Sequence, residues 1–210
     1  MALDKFEKRG AEVLQSAVPI EKLSDHQLIE AAKTGDEAAF GEIMRRYRSP
    51  ITNYIYRFLN DYEEAVDLAQ ETFVRVYFAL ERYHTEFAFS TYIYRIATNL
   101  AISEIRRRKR RRLVSLTGLF QTDTEEAQDF NPPDEKSLPD ADLLESEQSQ
   151  TIARAIATLP EKYRAPIVLR DIEGKSYEEV AAIMQLGLGT TKSRISRARK
   201  LLREKLQTYF

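Results

Sequence analysis

No cysteine occurs in the 210 residues, which excludes a disulfide framework, a thiolate zinc site and a cysteine nucleophile. Histidine is nearly as scarce. His26 and His84 are the two present, so the paired Glu-x-x-His elements of di-metal helical bundles are missing. Tryptophan is absent, and the seven glycines form no phosphate-cradling loop. No apolar run approaches the ~18 residues of a membrane span. Met1–Val18 carries charges throughout, unlike a signal peptide. Strand-rich stretches, internal repeats and nucleophile motifs are also lacking. These absences predict an all-α cytoplasmic protein that is not an enzyme, with no catalytic residues, no metal and no cofactor.

What is present is segregated charge. The formal net charge is only -1, yet seven consecutive basic residues run from Arg106 to Arg112. A second basic stretch spans Lys192–Lys205, and Asp123–Glu147 is strongly acidic. Such separation says more about partners than the sum does. At 43% hydrophobic, the chain can build cores, and its length allows two small domains.

Read in order, the chain punctuates itself into helices. Residues 1–23 are a weakly amphipathic extension without a clear assignment. Ser24 or Asp25 can cap a helix carrying Leu28, Ile29 and Ala32, which Gly35 stops. Asp36 caps the next, with Ala39, Phe40, Ile43, Met44 and Tyr47 at helical spacing, and Pro50 marks where a separate segment Ile51–Leu59 begins. After the Asn60-Asp61 break, a helix places Ala65, Leu68, Ala69, Thr72, Phe73 and Val76 inside. Glu63, Glu64, Asp67, Gln70 and Glu71 lie on its polar face. Asp67 and Glu71 could ligate a metal, but without histidine partners a solvated face, or a surface for a basic partner, fits better.

Tyr83–Ser90 is an aromatic loop holding Tyr83, His84, Phe87 and Phe89. Ser90 or Thr91 then caps a long helix whose buried stripe is Ile93, Ile96, Ala97, Leu100, Ala101 and Ile105. Arg95, Thr98, Asn99, Ile102 and Arg106 form the opposite stripe, suited to a phosphate backbone. The loop aromatics could stack on unpaired bases or, individually, plug the core. Residues 113–149 contain Pro132, Pro133 and Pro139 among many carboxylates and read as an acidic flexible linker. Helical spacing returns at Glu147–Leu159 and continues in Glu161–Ile172, where Pro166 predicts an irregular first turn.

The stretch Ser176–Leu206 organises the rest. Ser176 and Glu179 form a capping-box pattern, and Tyr177, Val180, Ala181 and Met184 share the face of a short helix. After a break at Gln185–Leu188, Thr190 can cap a second helix with Thr191, Ile195, Ala198 and Leu202 inside. Seven Lys/Arg against one Glu between Gly189 and Lys205 make its outer face basic. A helix-turn-helix that meets DNA is the reading; an ordinary helical hairpin with a solvated basic face is the alternative.

Together these stretches resemble an extracytoplasmic-function (ECF) sigma factor of bacterial RNA polymerase, the two-domain type. DYEEAVDLAQETFVRVY resembles the family's core-binding helix, FAFSTYIYRIATNLAISEIRRRKRR its promoter-melting segment, and LPEKYRAPIVLRDIEGKSYEEVA with GTTKSRISRARKLLREKL its -35-reading domain. The resemblance implies that residues 24–112 are sigma region 2, residues 113–149 the linker and residues 150–210 region 4. It implies that Asp67, Leu68, Gln70, Glu71 and Phe73 are exposed and bind core polymerase. Tyr83, His84, Phe87, Phe89, Arg95, Thr98, Asn99, Ile102 and Arg106 would then meet the -10 element. Thr190, Lys192, Ser193, Arg194, Ser196, Arg197, Arg199 and Lys200 would meet the -35 element. Core RNA polymerase, promoter DNA and an anti-sigma factor covering the same surfaces are the implied partners, with no membrane insertion of the chain itself. Two departures stand out: Gln185–Thr191 replaces the family's Gly-x-Pro-x-Gly-Thr-Val, putting Thr191 where an apolar residue is usual, and Thr91-Tyr92 stands where the family often has Trp. A stand-alone helix-turn-helix regulator is the competing reading; it would bind duplex promoter DNA without polymerase.

Overall fold

Short polar side chains open the first three helices of the chain's N-terminal half. The computed structural model describes residues 19–83, 87–119 and 147–207. Helix α1 (Asp25–Lys33) begins with a capping box in which Ser24 accepts from the Gln27 amide and Gln27 accepts from the Ser24 amide. Asp36 accepts from the Ala39 amide to start α2 (Glu37–Leu59), and Asp61 does the same from Glu64 for α3 (Tyr62–Phe78). Between α2 and α3, Asn60 takes a left-handed φ of 51°, a conformation its short polar side chain tolerates.

Three sequence expectations shift. Pro50 does not end a helix: α2 runs through it. An internal proline costs about 3 kcal/mol. Ile43, Ile51, Tyr54, Ile55 and Phe58 are fully buried from this one helix, and each contributes roughly 1.5–3 kcal/mol. Burial therefore outweighs the missing bond. Helix α4 (Phe89–Leu119) starts ahead of both proposed caps, and Thr91 is buried rather than terminal. It also runs past Arg112, so residues 113–119 of the expected linker are helical.

The C-terminal half comprises α5 (Glu147–Ala157), α6 (Glu161–Ile167), α7 (Tyr177–Met184) and α8 (Leu188–Leu206). The predicted single helix Glu161–Ile172 is regular only to Ile167, then widens into a π turn at Val168–Ile172. Its irregularity thus follows Pro166 rather than preceding it, consistent with a ladder that must re-register after the missing N–H. Gly174, at φ 67°, turns the chain toward α7.

Leu28, Ile29, Ile43, Tyr54, Ile55, Phe58 and Ile93 centre the N-terminal core, while Ile156, Leu159, Ile167, Leu169, Val180, Ile183 and Ile195 centre the C-terminal one. The two are continuous, because α2 packs on α5 and α4 packs on α6 and α7. Every buried side-chain nitrogen and oxygen among the described residues has a partner.

One ion cluster ties α1 to α2. Glu42 accepts from Arg45 at 2.6 Å and from Arg46 at 2.8 Å, while Arg46 also reaches Asp25 at 2.9 Å. Tyr47 donates to the same Asp25 carboxylate. The hydrogen bonds from Arg45 and Arg46 hold the Glu42 carboxyl down to about 2, from an ordinary 4.5. A depressed folded-state value stabilises the fold above pH 4.5, and that contribution disappears as pH falls toward 2. The Glu42→Gln variant is therefore expected to lose this part of the acid dependence. Urea midpoints measured stepwise through that window check it; an acid limb as steep as wild type would refute it.

Candidate nucleic-acid and partner interfaces

Helix α8 is held by the seam the spacing predicts. Thr191, Ile195 and Ala198 are buried, with Leu202 packed beside them. The Thr191 hydroxyl donates to the Gly187 carbonyl one turn back at 3.2 Å, which satisfies the polar group at an apolar position. Thr190 is not the cap. Gln185 adopts a left-handed φ of 53°, the turn closes early, and Gly187 stands at the N-cap, leaving Thr190 exposed within the first turn. The partner helix α7 begins with the predicted box, Glu179 accepting from the Ser176 amide at 2.7 Å.

On the outer side of α8, Lys192, Ser193, Ser196, Arg197 and Lys200 are exposed and Arg194 is half-buried. Arg199 differs: its guanidinium forms two bonds to Asp171, at 2.6 and 2.9 Å, and so anchors α8 to the π turn. Its pairing with Asp171 also raises its pKa above the ordinary guanidinium range. Tyr177, expected inside, is half-buried, its ring 4.7 Å from Arg170 and 5.7 Å from Lys192. It forms one wall of a shallow cationic cleft of about 390 Å³ with Lys192, Ser196, Arg199, Lys200 and Arg203. Arg203 escaped the sequence reading, although it continues the Lys192–Ser196–Lys200 stripe at helical spacing.

The aromatic loop divides. Tyr83 is buried, and its hydroxyl donates to the Phe87 carbonyl at 2.8 Å. Phe89 is buried against Tyr47 and Tyr83 in edge-to-face contacts, with Tyr92 tilted beside it. Both leave the set that could stack on a base. Phe87 stays 51% exposed, while His84 lies outside the described residues. Along α4, Asn99 and Arg106 are exposed, Arg95 lies over the Tyr92 ring at 5.6 Å, and Ile102 packs partly on the core. Thr98 also leaves the outer stripe. It is buried, 2.7 Å from the Tyr54 hydroxyl and donating to the Tyr94 carbonyl at 2.6 Å. The basic run is not uniform either: Arg107 and Arg108 pair with Glu104 and Glu64, and Arg108 with Asp61.

Helix α3 shows the clearest reassignment. Asp67 and Gln70 are exposed, and Glu71 pairs with Arg75 at 2.5 Å while staying 44% exposed. Leu68 and Phe73 are buried, because they sit on the inner stripe with Ala65, Ala69 and Val76. In their place the outer face carries Val74, Tyr77 and Phe78, the last 80% exposed. Counting from Asp67 at helical spacing finds these three. Their apolar character on a polar face is the signal.

Residues 43–111 match the family described as Sigma-70 region 2, and residues 149–202 match Sigma-70, region 4. The chain is 37% identical over 183 residues to the RNA polymerase sigma-H factor of Pseudomonas aeruginosa, covering 87% of this chain and 94% of that one. It is 36% identical over 190 residues to the ECF RNA polymerase sigma-E factor of Escherichia coli K12, covering 89% and 96%. Among solved structures, the sigma factor RpoE in co-crystals with the anti-sigma factor NepR from Bartonella quintana superposes with a TM-score of 0.58 at 26% identity, covering 80% of this chain and 96% of that one.

Proposed function

We propose a role for each surface from one premise: the chain belongs to the sigma-70 family, in its extracytoplasmic-function branch. It directs RNA polymerase to initiate transcription at specific promoters. The observation that carries the residue roles is that each family match falls on a helical unit with its own basic or acidic outer face. Residues 24–112 act as region 2, residues 150–210 as region 4, and residues 113–149 as the tether.

Helix α8 enters the -35 major groove, Lys192, Ser193, Ser196 and Arg197 nearest the bases and Lys200 with Arg203 on phosphates. Arg199 positions that helix through Asp171. Phe87 stacks on an unpaired -10 base, and Asn99, Arg95 and Arg106 follow the strand. The α3 face docks on the clamp helices of the polymerase's largest subunit, Asp67 and Glu71 supplying charge and Val74, Tyr77 and Phe78 apolar contact. The polymerase performs the chemistry, so the chain works in the cytoplasm and needs no catalytic residue. An anti-sigma factor is the fitting negative regulator, supported by the NepR complex of the Bartonella relative.

A mixing experiment tests the assignment: purified chain and core polymerase on a library of bacterial promoter fragments. A discrete, chain-dependent start site is expected. Tight duplex binding without polymerase, and no transcript with it, would favour a stand-alone regulator.

The two halves of the α3 face should separate kinetically. Charge steers encounter, whereas buried aromatic contact sets residence time. Phe78→Ser is expected to raise the dissociation rate from core polymerase roughly tenfold and to change association less than about twofold. Surface-plasmon traces decide it. An unchanged dissociation rate would remove Phe78 from the interface.

A further inference from the structure

Exposed Phe87 is flanked in the chain by two buried aromatics, Tyr83 and Phe89. Both are held from α1, which lies ahead of the residues 43–111 that match region 2. On the Tyr83 side, the Lys33 ammonium at the end of α1 donates to the Tyr83 carbonyl at 3.2 Å. The same ammonium stands 5.7 Å from the centre of the Tyr83 ring and donates to Glu30 at 2.7 Å. Its side chain is only 21% exposed. Tyr83 passes the constraint on, because its hydroxyl donates to the Phe87 carbonyl at 2.8 Å. On the Phe89 side, Asp25 at the start of α1 accepts from the Tyr47 hydroxyl. The Tyr47 ring in turn meets Phe89 edge-on at 5.4 Å, and the Tyr83 and Phe89 rings close the frame at 5.8 Å.

From this arrangement we propose that α1 is a bracket for the backbone that carries Phe87, and that Lys33 is a positioning residue for promoter opening. This role rests on the reading of Phe87 as the residue that stacks on an unpaired -10 base. A ring on loose backbone must be ordered when the base arrives, and that cost weakens the stack. A ring whose backbone is already fixed avoids it, which is why binding side chains on loops depend on the rigid elements beneath them. Lys33 is suited to the task. Its bond to the Tyr83 carbonyl is charge-assisted, and its place over the ring adds a cation–π attraction. One side chain of α1 thus fixes both the backbone and the ring of Tyr83, and the Tyr83 hydroxyl fixes the backbone of Phe87. Asp25 steadies the opposite side through Tyr47 and Phe89.

The chain has no tryptophan, so Phe87→Trp places a single fluorescent indole at this position. In the free full-length chain, adding Lys33→Met, which keeps the aliphatic stem and removes the ammonium, should lower the indole's anisotropy and raise its quenching by acrylamide. Tyr47→Phe, which keeps the ring and drops the bond to Asp25, should shift both in the same direction. Lys33→Arg should stay near the parent, because a guanidinium can make the same two contacts. Glu30→Gln should change nothing, since Lys33 keeps its hold on Tyr83. With native Phe87 and core polymerase, opening of the promoter fragment selected in the mixing experiment is followed by stopped flow with a base analogue. Lys33→Met should slow opening roughly three- to tenfold and leave initial binding to the closed duplex within about twofold. In a Phe87→Ala chain, Lys33→Met should slow opening no further. An indole unchanged in both Lys33→Met and Tyr47→Phe would overturn the bracket. A loosened indole with wild-type opening by Lys33→Met would overturn the positioning role. Equal slowing by Lys33→Met in the Phe87→Ala chain would overturn action through Phe87. An effect of Glu30→Gln equal to that of Lys33→Met would reduce the result to surface charge and overturn the proposal as well. Wild-type opening by Phe87→Ala alone, with the indole still loosened by Lys33→Met, would remove the stacking premise and the proposal with it.

Discussion

Glu71→Arg is expected to weaken binding to core RNA polymerase by roughly 30- to 1,000-fold, the range given by the several kcal/mol that a like-charge contact costs across an interface. The side chain is 44% exposed and its partner Arg75 is itself 55% exposed, so the reversal removes little from the fold. Thermal unfolding should therefore move by no more than a degree or two. The direction of the loss follows from the composition of the face. Asp67, Gln70 and Glu71 present an acidic patch at the N-terminal end of α3, ahead of the apolar Val74, Tyr77 and Phe78. A basic partner approaching that patch meets a cation in the variant. Gel filtration of chain and core polymerase at low and moderate salt checks the result. Co-migration at wild-type levels would show that α3 docks nothing and would return its carboxylates to solvent.

Phe87 and Phe89 make the second test, because they stand two residues apart and should fail differently. Phe87→Ala is expected to slow promoter opening by roughly 5- to 150-fold, the equivalent of about 1–3 kcal/mol for one lost base stack. Its ring is 51% exposed, so stability should hardly change. Phe89→Ala should instead destabilise the protein by about 3–5 kcal/mol, the usual cost of truncating a buried aromatic. Its ring is 4% exposed and meets Tyr47 and Tyr83 edge-on. Stopped-flow fluorescence of a promoter carrying a base analogue measures the first effect, and urea unfolding the second. If Phe87→Ala opened promoters at the wild-type rate, base trapping would have to be sought among the other residues of the loop.

Family and element order were legible in the sequence because the signals that set them are short-range. A cap links Ser24 to Gln27, Asp36 to Ala39 or Ser176 to Glu179, three residues apart, and a buried seam repeats every three or four. The seam Thr191, Ile195, Ala198 in α8 and the inner stripe of α4 come from that periodicity alone. Even the hydroxyl of Thr191 found its partner one turn away, at Gly187.

Side-chain exposure within the aromatic loop was not legible, because Phe89 is covered by Tyr47, a residue far off in the chain, and Tyr83 packs on Phe89 and Tyr92, while Phe87 stays exposed. The outer face of α3, proposed for docking, needed the packed helix to show that Leu68 and Phe73 point inward and Phe78 outward. Pro50 reads as a stop until the apolar side chains on either side of it are seen buried together. Arg199 reads as one more phosphate ligand until Asp171, 28 residues earlier, is found holding it. Local chemistry thus determined which helices form and where α1, α2, α3 and α7 begin. Tertiary packing decided which side chains remain for DNA and polymerase, because burial and ion pairing depend on residues that only the fold brings together.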